Sequence, residues 1–581
     1  MVHIERWIVG LALVACGMAQ AMTCATKGDY LDLMEAAVSA YDDAHIAAYV
    51  EAADRDGVQE HGFPRLVANV GVLVANGRLS ERRDLFRRMM TIACRDAAKG
   101  KMPPKSGGNE FSVKELVVAL VALEKSGTFP KVETDAWRKA LTSVDAKRCY
   151  SKLPKCGAKL ANNWCIFGCA SEQARIAARC GGDAQHTEMY VADQLRWFDE
   201  NGMYKDPNQP AVYDFVTRLQ FAMVLHYGYD GPSRERLEGL MAKSAEPTLA
   251  MLSACGEIPY GGRSNQFLHN NTFYSALCEW YAAGFAKRGD LRQAARFRRA
   301  AKKSVDAVRE WLAVRPMRHV KNLYPRKSGK EVYSREADMG CERYAYFNKY
   351  MVTMGSWAMS AWLFAEDVAK EIPEEAEVAA SSFRTSDDFH FFFLKAGDYS
   401  AQFDPNANKT YDADGLGRIC RKGAPAAICL SVPCAVNPHY RIETPNDAPL
   451  TIAPVAKGDL QLSCTRFGHD DKSAWADWKS AAGEWKNTLT EWGLEMSLEG
   501  AGLVALALPA FAFDGESETR IDCRDTTLAI AYRGWRCVYT AKAGTIVDTG
   551  RVACNRNGRY RRFELRGDGR VAASVTIERI R

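Results

Sequence analysis

Four short clusters in the first two thirds of the chain hold the amides, guanidinium, imidazole and phenols that could do acid–base chemistry. The first is Asn162-Asn163-Trp164, with Phe167-Gly168 behind it. The second runs from Asn201-Gly202-Met203-Tyr204-Lys205-Asp206-Pro207 to Tyr213-Asp214-Phe215. The third runs from Tyr260-Gly261-Gly262-Arg263-Ser264 to His269-Asn270-Asn271, and the fourth spans Glu342, Tyr344, Tyr346 and Tyr350. This composition suits abstraction of the proton beside a uronate carboxylate, a site that is poorly acidic while the carboxylate is charged. Asn amides and an Arg fork can bind that carboxylate and spread the developing charge. A phenol beside a cation can serve as base, and a Tyr or His can protonate the leaving oxygen. Such an elimination needs no cofactor and no metal.

Each cluster also has a purely structural alternative. Asn162 and Asn163 could cap a helix, Tyr213 could be an interfacial phenol, and Arg263 after two glycines could brace a turn. His269 could be a satisfied core imidazole. Tyr344, Phe347 and Met351 follow helical spacing, so packing accounts for at least some of the tyrosines there. The joint occurrence, about one helical hairpin apart, says more than any single residue.

The elements that must position these clusters are helices. From about residue 28 to 368 amphipathic segments recur, such as Tyr30, Leu33, Met34, Ala37, Val38 and Tyr41. Another is Val113, Leu116, Val117 and Leu120, with Ser112 and Glu115 at capping-box spacing. Antiparallel hairpins of roughly 45 residues predict an incomplete (α/α) toroid over 25–370, or a complete one. In the stripe Val212, Phe215, Val216 and Leu219, Tyr213 falls off the buried face near the helix start, where a toroid opens into its cleft. The charged, Pro-containing stretch from Glu371 to Glu377, with Ser381 and Ser382 after it, predicts a linker over 371–384. Beyond it the period becomes two, in Ile428, Leu430, Val432, in Leu528, Ile530, Tyr532, and in Val571, Ala573, Val575, Ile577. The fold class is therefore α+β, a helical domain followed by an antiparallel β-sandwich over 385–581.

The order of an Asn-Trp pair, an Asn-Gly-x-Tyr loop with a following Tyr, and Gly-Arg-Ser resembles the toroid-type polysaccharide lyases. These comprise the chondroitin/hyaluronan lyases and the heparinase II/III-like and alginate lyases. The resemblance implies cleavage of an acidic, uronate-containing glycan by β-elimination. It implies that Asn163 neutralises the carboxylate, Tyr213 is base or acid, and Arg263 assists. Asn162, Trp164, Tyr204, Asn270, Glu342, Tyr344 and Tyr346 would contact the sugar. The pattern departs from the family at the imidazole beside the Asn or in the Asp-Gly loop, where Trp164 and Pro207 or Asn208 stand. His269 supplies the missing imidazole, or the site runs on tyrosines alone.

The remaining features bound the setting. Residues 1–21 combine a charged start, an apolar run from Trp7 to Ala15 and small residues at Ala19-Gln20-Ala21, the pattern of an export signal. Leu13-Val14-Ala15-Cys16 offers a competing lipobox, so the mature chain is periplasmic, extracellular or lipid-anchored. The run is too short for a membrane span. A net charge of +6 over 581 residues argues against nucleic acid as partner. The 18 cysteines point to disulfides or buried thiols rather than zinc, because no CxxC pair or spaced His accompanies Cys165, Cys169 and Cys180. Tyr411-Asp412-Ala413-Asp414-Gly415 carries oxygen ligands without a full calcium-loop pattern. Two alternatives stay open. One is a toroid glycoside hydrolase acting on unsaturated uronyl sugars, with carboxylates drawn from Asp199, Glu200, Asp214, Glu257 and Glu342. The other is a noncatalytic glycan-binding lipoprotein using Trp475, Trp478, Trp485 and Trp492.

Overall fold

The computed structural model describes residues 24–102, 108–151, 153, 155–157, 163–315, 317–321, 346–365, 380–438 and 446–580. The expected export signal with Cys16, the site candidates Asn162, Glu342 and Tyr344, and residues 371–379 of the expected linker lie outside them. The remaining five linker residues form the first strand.

The helices are α1 Lys27–Ser39, α2 Asp43–Asp56, α3 Gly62–Ala75, α4 Arg83–Lys99, α5 Val113–Ser126, α6 Lys131–Thr142, α7 Ala146–Cys149 and α8 Asn163–Ala177. They continue as α9 Ala184–Gln194, α10 Ala211–His226, α11 Arg234–Lys243, α12 Ala245–Ala250, α13 Leu268–Lys287, α14 Leu291–Leu312 and α15 Phe347–Phe364. Two kinds are distinguishable. α14 buries one stripe, including Ala294, Phe297, Ala301, Val305 and Val308, and turns Arg292 and Glu310 to solvent. In contrast, α3 is covered on every side from Gly62 to Val74, and α10, α13 and α15 nearly so. A helix covered all round belongs inside and an amphipathic one outside.

Among the described residues the covered helices pack in a closed order: α3 on α5, then α8, α10, α13, α15 and back to α3. Each carries an outer partner, α4, α6, α9, α11, α14 and α1 respectively. Neighbouring inner helices start side by side. Gly62 abuts the backbone of Asn348, and the Arg65 guanidinium donates to the carbonyl of Phe111 at 2.9 Å, just ahead of α5. Phe111 packs on Phe167 at 4.8 Å, and Phe215 on Tyr274 at 5.4 Å. All six inner helices therefore begin at one end of the ring. The Ser112–Glu115 capping box does not form, because Ser112 makes no side-chain cap. Glu115 points into the ring instead, beside Arg65 and Lys114.

Strands β1 Ala380–Arg384, β2 Phe392–Ala396, β3 Tyr399–Asp404 and β4 Gly415–Arg421 form a four-stranded antiparallel sheet in that order. The others are β5 Ala453–Pro454, β6 Ser463–His469, β7 Ser473–Ser480, β8 Gly483–Thr490, β9 Gly493–Phe513, β10 Arg520–Arg524, β11 Thr527–Tyr532, β12 Trp535–Ala543, β13 Thr545–Asn555 and β14 Gly558–Arg579. They form a larger sheet in the order β10-β11-β12-β14-β9-β8-β7-β6, with β13 on β14 and β5 on β9. The sheets meet through Phe392 on Trp478 at 4.8 Å and Phe403 on Trp485 at 5.8 Å. Trp478 and Trp485 are thus core residues, while Trp492 is exposed. The period-two runs at Leu528–Tyr532 and Val571–Ile577 lie in β11 and β14. The run Ile428–Val432 does not form a strand. Ile428 closes a 3-10 turn, and Leu430 makes a single bridge to Ile419.

Candidate active site

Because the inner helices begin at one end, the loops that enter them meet there, and three of the four clusters read from sequence have described residues in those loops. The contacts pass around the mouth from residue to residue. Tyr213 lies with its hydroxyl 3.4 Å from Ser264, whose carbonyl accepts from the Asn270 amide at 2.8 Å. Next to Asn270, the His269 ring stacks on Tyr350 at 5.2 Å. Tyr350 meets His61 edge-on at 6.3 Å, His61 stacks on Phe111 at 5.4 Å, and Phe111 meets Trp164 at 6.2 Å. Beside Trp164, the Asn163 amide donates to Asp206 at 2.8 Å. Asp206 pairs with Arg263, whose guanidinium lies 4.1 Å from the centre of the Tyr213 ring. Six helix N-termini also aim their positive ends at this mouth, a field that favours anions.

The hub of this side of the mouth is Asp206, which the sequence reading quoted in its loop but did not assign a role. It is almost fully buried and accepts from Asn163 and from the Arg263 fork, and Arg263 also donates to the carbonyl of Pro207 at 2.6 Å. Burial pushes its carboxyl above the usual range, against the opposing pull of Arg263 and Asn163. Both donors expected to meet a substrate carboxylate thus already hold a carboxylate of the protein. The Asn163 amide carries a second N–H beyond the one given to Asp206. Sequence offered no local signal for this arrangement, since Asp206 is 43 residues from Asn163 and 57 from Arg263.

The backbone here is strained. Asn208, Gln209, Ser264 and Gln266 all hold positive φ, at 65°, 43°, 65° and 59°. Such outliers persist where the surroundings overdetermine them, and they gather at functional sites. What overdetermines the Arg263 loop is the β region. Asp412 accepts from the Gly262 N–H at 2.6 Å and from the Asn265 amide at 3.1 Å, one on each side of Arg263 and Ser264. Gln402 donates to the carbonyl of Tyr260 at 2.8 Å, Gln266 donates to Asn557 at 3.1 Å, and Arg556 donates to the carbonyl of Asn265. Gly261 and Gly262 permit this closeness. A Cβ on Gly261 would lie 2.2 Å from the Phe391 ring, and one on Gly262 would lie 2.8 Å from Pro210. The Tyr411–Gly415 turn is accordingly a latch between the β region and the Arg263 loop. Its second carboxylate, Asp414, accepts from the Ala407 N–H and pairs with Lys409.

The other expected residues divide. Trp164 is 38 % exposed on the rim, and Tyr346 is exposed with Lys349 over its ring at 5.2 Å. Asn270 is buried and braces the Ser264 carbonyl. Tyr204 belongs to the core. It has no exposed surface, its hydroxyl is given to Gln194, and its N–H is bound by Asp214 at 2.7 Å, so it cannot touch a sugar. His269 is buried, and burial together with the charges of Arg65 and His319 holds its imidazole well below the usual range, in the neutral form. The carboxylates proposed for hydrolysis are largely engaged elsewhere. Asp214 is tied to Arg218, Glu257 to Lys321 at 3.2 Å, and Asp199 to Ser386 at 2.6 Å. Among the described residues, most of the cysteines are buried. Also among the described residues, no group of three or more metal-ligating side chains is assembled, and no helix is long and apolar enough to cross a membrane.

No family model matches the chain, and no curated protein matches it. Solved structures do. A mutant of the heparan sulfate lyase HepC from Pedobacter heparinus matches at 8% identity and a TM-score of 0.43, over 89% of this chain and 75% of its own. A family 88 glycosyl hydrolase from Bacteroides vulgatus matches at 11% identity and 0.38, over 58% of this chain and 100% of its own. A polysaccharide lyase matches at 10% identity and 0.35, over 59% and 99% respectively. The functional reading of this chain stands on its own residues.

Proposed function

We propose that the helical ring is an (α/α) toroid whose mouth is the active site of an exported polysaccharide lyase. In this reading the β region is a sandwich that braces the mouth, and the substrate is an acidic, uronate-containing glycan. The observation that carries the reading is the Tyr213–Arg263–Asp206–Asn163 chain of contacts, set among inner-helix N-termini. Tyr213 as phenolate takes the proton beside the carboxylate. The electron pair forms the C4–C5 double bond, the C4–O bond breaks, and the leaving oxygen takes up a proton from a phenol. The guanidinium of Arg263 lies against the ring whose charge changes as the proton moves, and the second N–H of Asn163 meets the substrate carboxyl. Asp206 holds both donors in position.

Hydrolysis is the second reading, and one observation favours it. A buried carboxyl held above its usual range, as Asp206 is, has the character of a general acid. Mass spectrometry of products formed in ¹⁸O-labelled water separates the two. Elimination leaves a 4,5-unsaturated uronate that absorbs in the ultraviolet and carries no solvent oxygen. Incorporation of ¹⁸O with no new double bond would replace the lyase reading by the hydrolase one.

A further inference from the structure

Behind the rim opposite Arg263 lies a group of buried charges that the reaction above does not use. The Arg65 guanidinium, 2 % exposed, donates to the Thr353 hydroxyl at 2.7 Å and to the Phe111 carbonyl at 2.9 Å, and it lies over the Trp357 ring at 5.3 Å. Its Nε has no hydrogen-bond partner, and the nearest carboxylate oxygen, Glu115 Oε1, is 3.6 Å away. That oxygen is already taken by Lys114 at 3.0 Å, and Oε2 of Glu115 is unpartnered. Lys114 is itself enclosed, over Phe167 at 4.8 Å and Trp357 at 5.4 Å, and burial pushes its ammonium down to about 8, so it remains mostly charged at neutral pH. Two cations therefore share one carboxylate inside an aromatic wall. His269, stacked on the half-buried Tyr350 at the rim, carries a buried and unpartnered Nδ1, and its imidazole feels the charge of Arg65.

Buried charge without a full complement of partners is costly, and so is an orphaned buried N–H. A ligand anion would supply what is missing. We infer that Arg65, His269 and Tyr350, with the Lys114–Glu115 pair behind them, form an anion subsite at the floor of the mouth that receives the carboxylate of a uronic acid. The inference rests on the mouth being the substrate site, but not on the reaction being an elimination. Arg65 supplies the charged donor, and His269 and Tyr350 offer a ring face to the sugar. Glu115 sets the affinity by offsetting one of the two cations. The subsite lies across the mouth from Tyr213, so it would hold a sugar next to the one undergoing reaction.

Calorimetric titration with D-glucuronate, D-galacturonate and D-mannuronate tests this, each against its neutral parent sugar. These monosaccharides carry no leaving group, so binding is read without turnover, and a failure of the lyase reading leaves the result interpretable. The full chain is expected to bind at least one uronate and to ignore the neutral sugars. Arg65→Met is expected to weaken that binding roughly tenfold or more, and Glu115→Gln to tighten it several-fold. If Arg65→Met does not fold, Glu115→Gln decides alone. Equal binding of uronate and neutral sugar, no uronate binding by the wild-type chain, or unchanged affinity in a folded Glu115→Gln chain would overturn the subsite.

Discussion

The guanidinium of Arg263 lies 4.1 Å from the centre of the Tyr213 ring while its fork is divided between the Asp206 carboxylate and the Pro207 carbonyl. A single cation is thereby committed to two tasks, orienting a phenol and neutralising a buried carboxylate. The Asn163 amide, with one N–H on Asp206, keeps a second for a ligand. An Arg263→Lys substitution keeps the charge but loses both the planar stack and the fork.

Tyr204, in the loop ahead of α10, and Tyr213, in its first turn, have opposite fates. Tyr213→Phe removes the hydroxyl at the mouth and is expected to lower turnover by about 10²- to 10⁴-fold with the fold intact. Tyr204→Phe removes a hydroxyl buried against Gln194. It is expected to cost about 1–2 kcal/mol of stability and little turnover. Steady-state rates on a uronate glycan, beside urea unfolding of both variants, check the pair. Near-normal turnover in folded Tyr213→Phe would remove Tyr213 from the chemistry.

Asp206→Ala leaves the half-buried Arg263 without its counter-charge and the Asn163 amide without its acceptor. Breaking a fully buried ion pair costs about 3–5 kcal/mol. The Arg263 side chain keeps 23% exposure, so a loss of about 2–3 kcal/mol is expected. Turnover should fall with it. A folded Asp206→Ala chain of wild-type stability would mean that the carboxylate is not the hub.

Asp412 is 150 residues from Gly262, yet holds its N–H. Asp412→Ala strands two buried donors, and each unsatisfied group costs about 1–3 kcal/mol. The Arg263 loop, released from its strained backbone, is expected to misplace the guanidinium and slow turnover at least tenfold. Comparing kcat with KM is informative, because a displaced catalytic loop lowers kcat in a chain that still binds substrate.

Glu60 stands at the entrance to α3, where its carboxylate binds the Gly62 N–H at 2.6 Å. Burial raises its pKa to about 7, against the pull of Lys349 and Arg65. The folded chain therefore holds the proton more tightly than the unfolded one does, with an ordinary Glu near 4.5. The stability contributed by protonated Glu60 is complete below that value and is lost as pH rises through about 7. Relative to Glu60→Gln, the wild-type chain should lose stability between pH 5 and pH 8. Urea unfolding at the two pH values checks the sign, and parallel curves for the two chains would refute it.

Much of the framework was legible in the chain itself. The 3.6-residue period from Tyr30 to Tyr41 and the two-residue period from Val571 to Ile577 became α1 and β14, because the backbone geometry that sets those periods is local. The position of Tyr213 off the buried stripe placed it at the first turn of α10, at the mouth. Local pattern misled where a tertiary partner outbid it. Ser112 and Glu115 had the spacing of a cap, but the cations Arg65 and Lys114 drew Glu115 into the ring. Ile428, Leu430 and Val432 alternated like a strand but found only one bridging partner.

What the sequence by itself determined, then, was the kind of element over most of the helical ring and the longer strands, and which residues stand where helices begin, since both follow from contacts within a few residues. Only the tertiary structure decided what those residues do to one another. Asn163, Asp206 and Arg263 became one unit, Asp412 became the latch of the Arg263 loop, and Tyr204 was given to the core. Charge pairing and burial depend on neighbours 43, 57 and 150 residues away. Packing of the inner helices side by side, and of the β region on their entry loops, brings such neighbours together, and no short-range spacing encodes it.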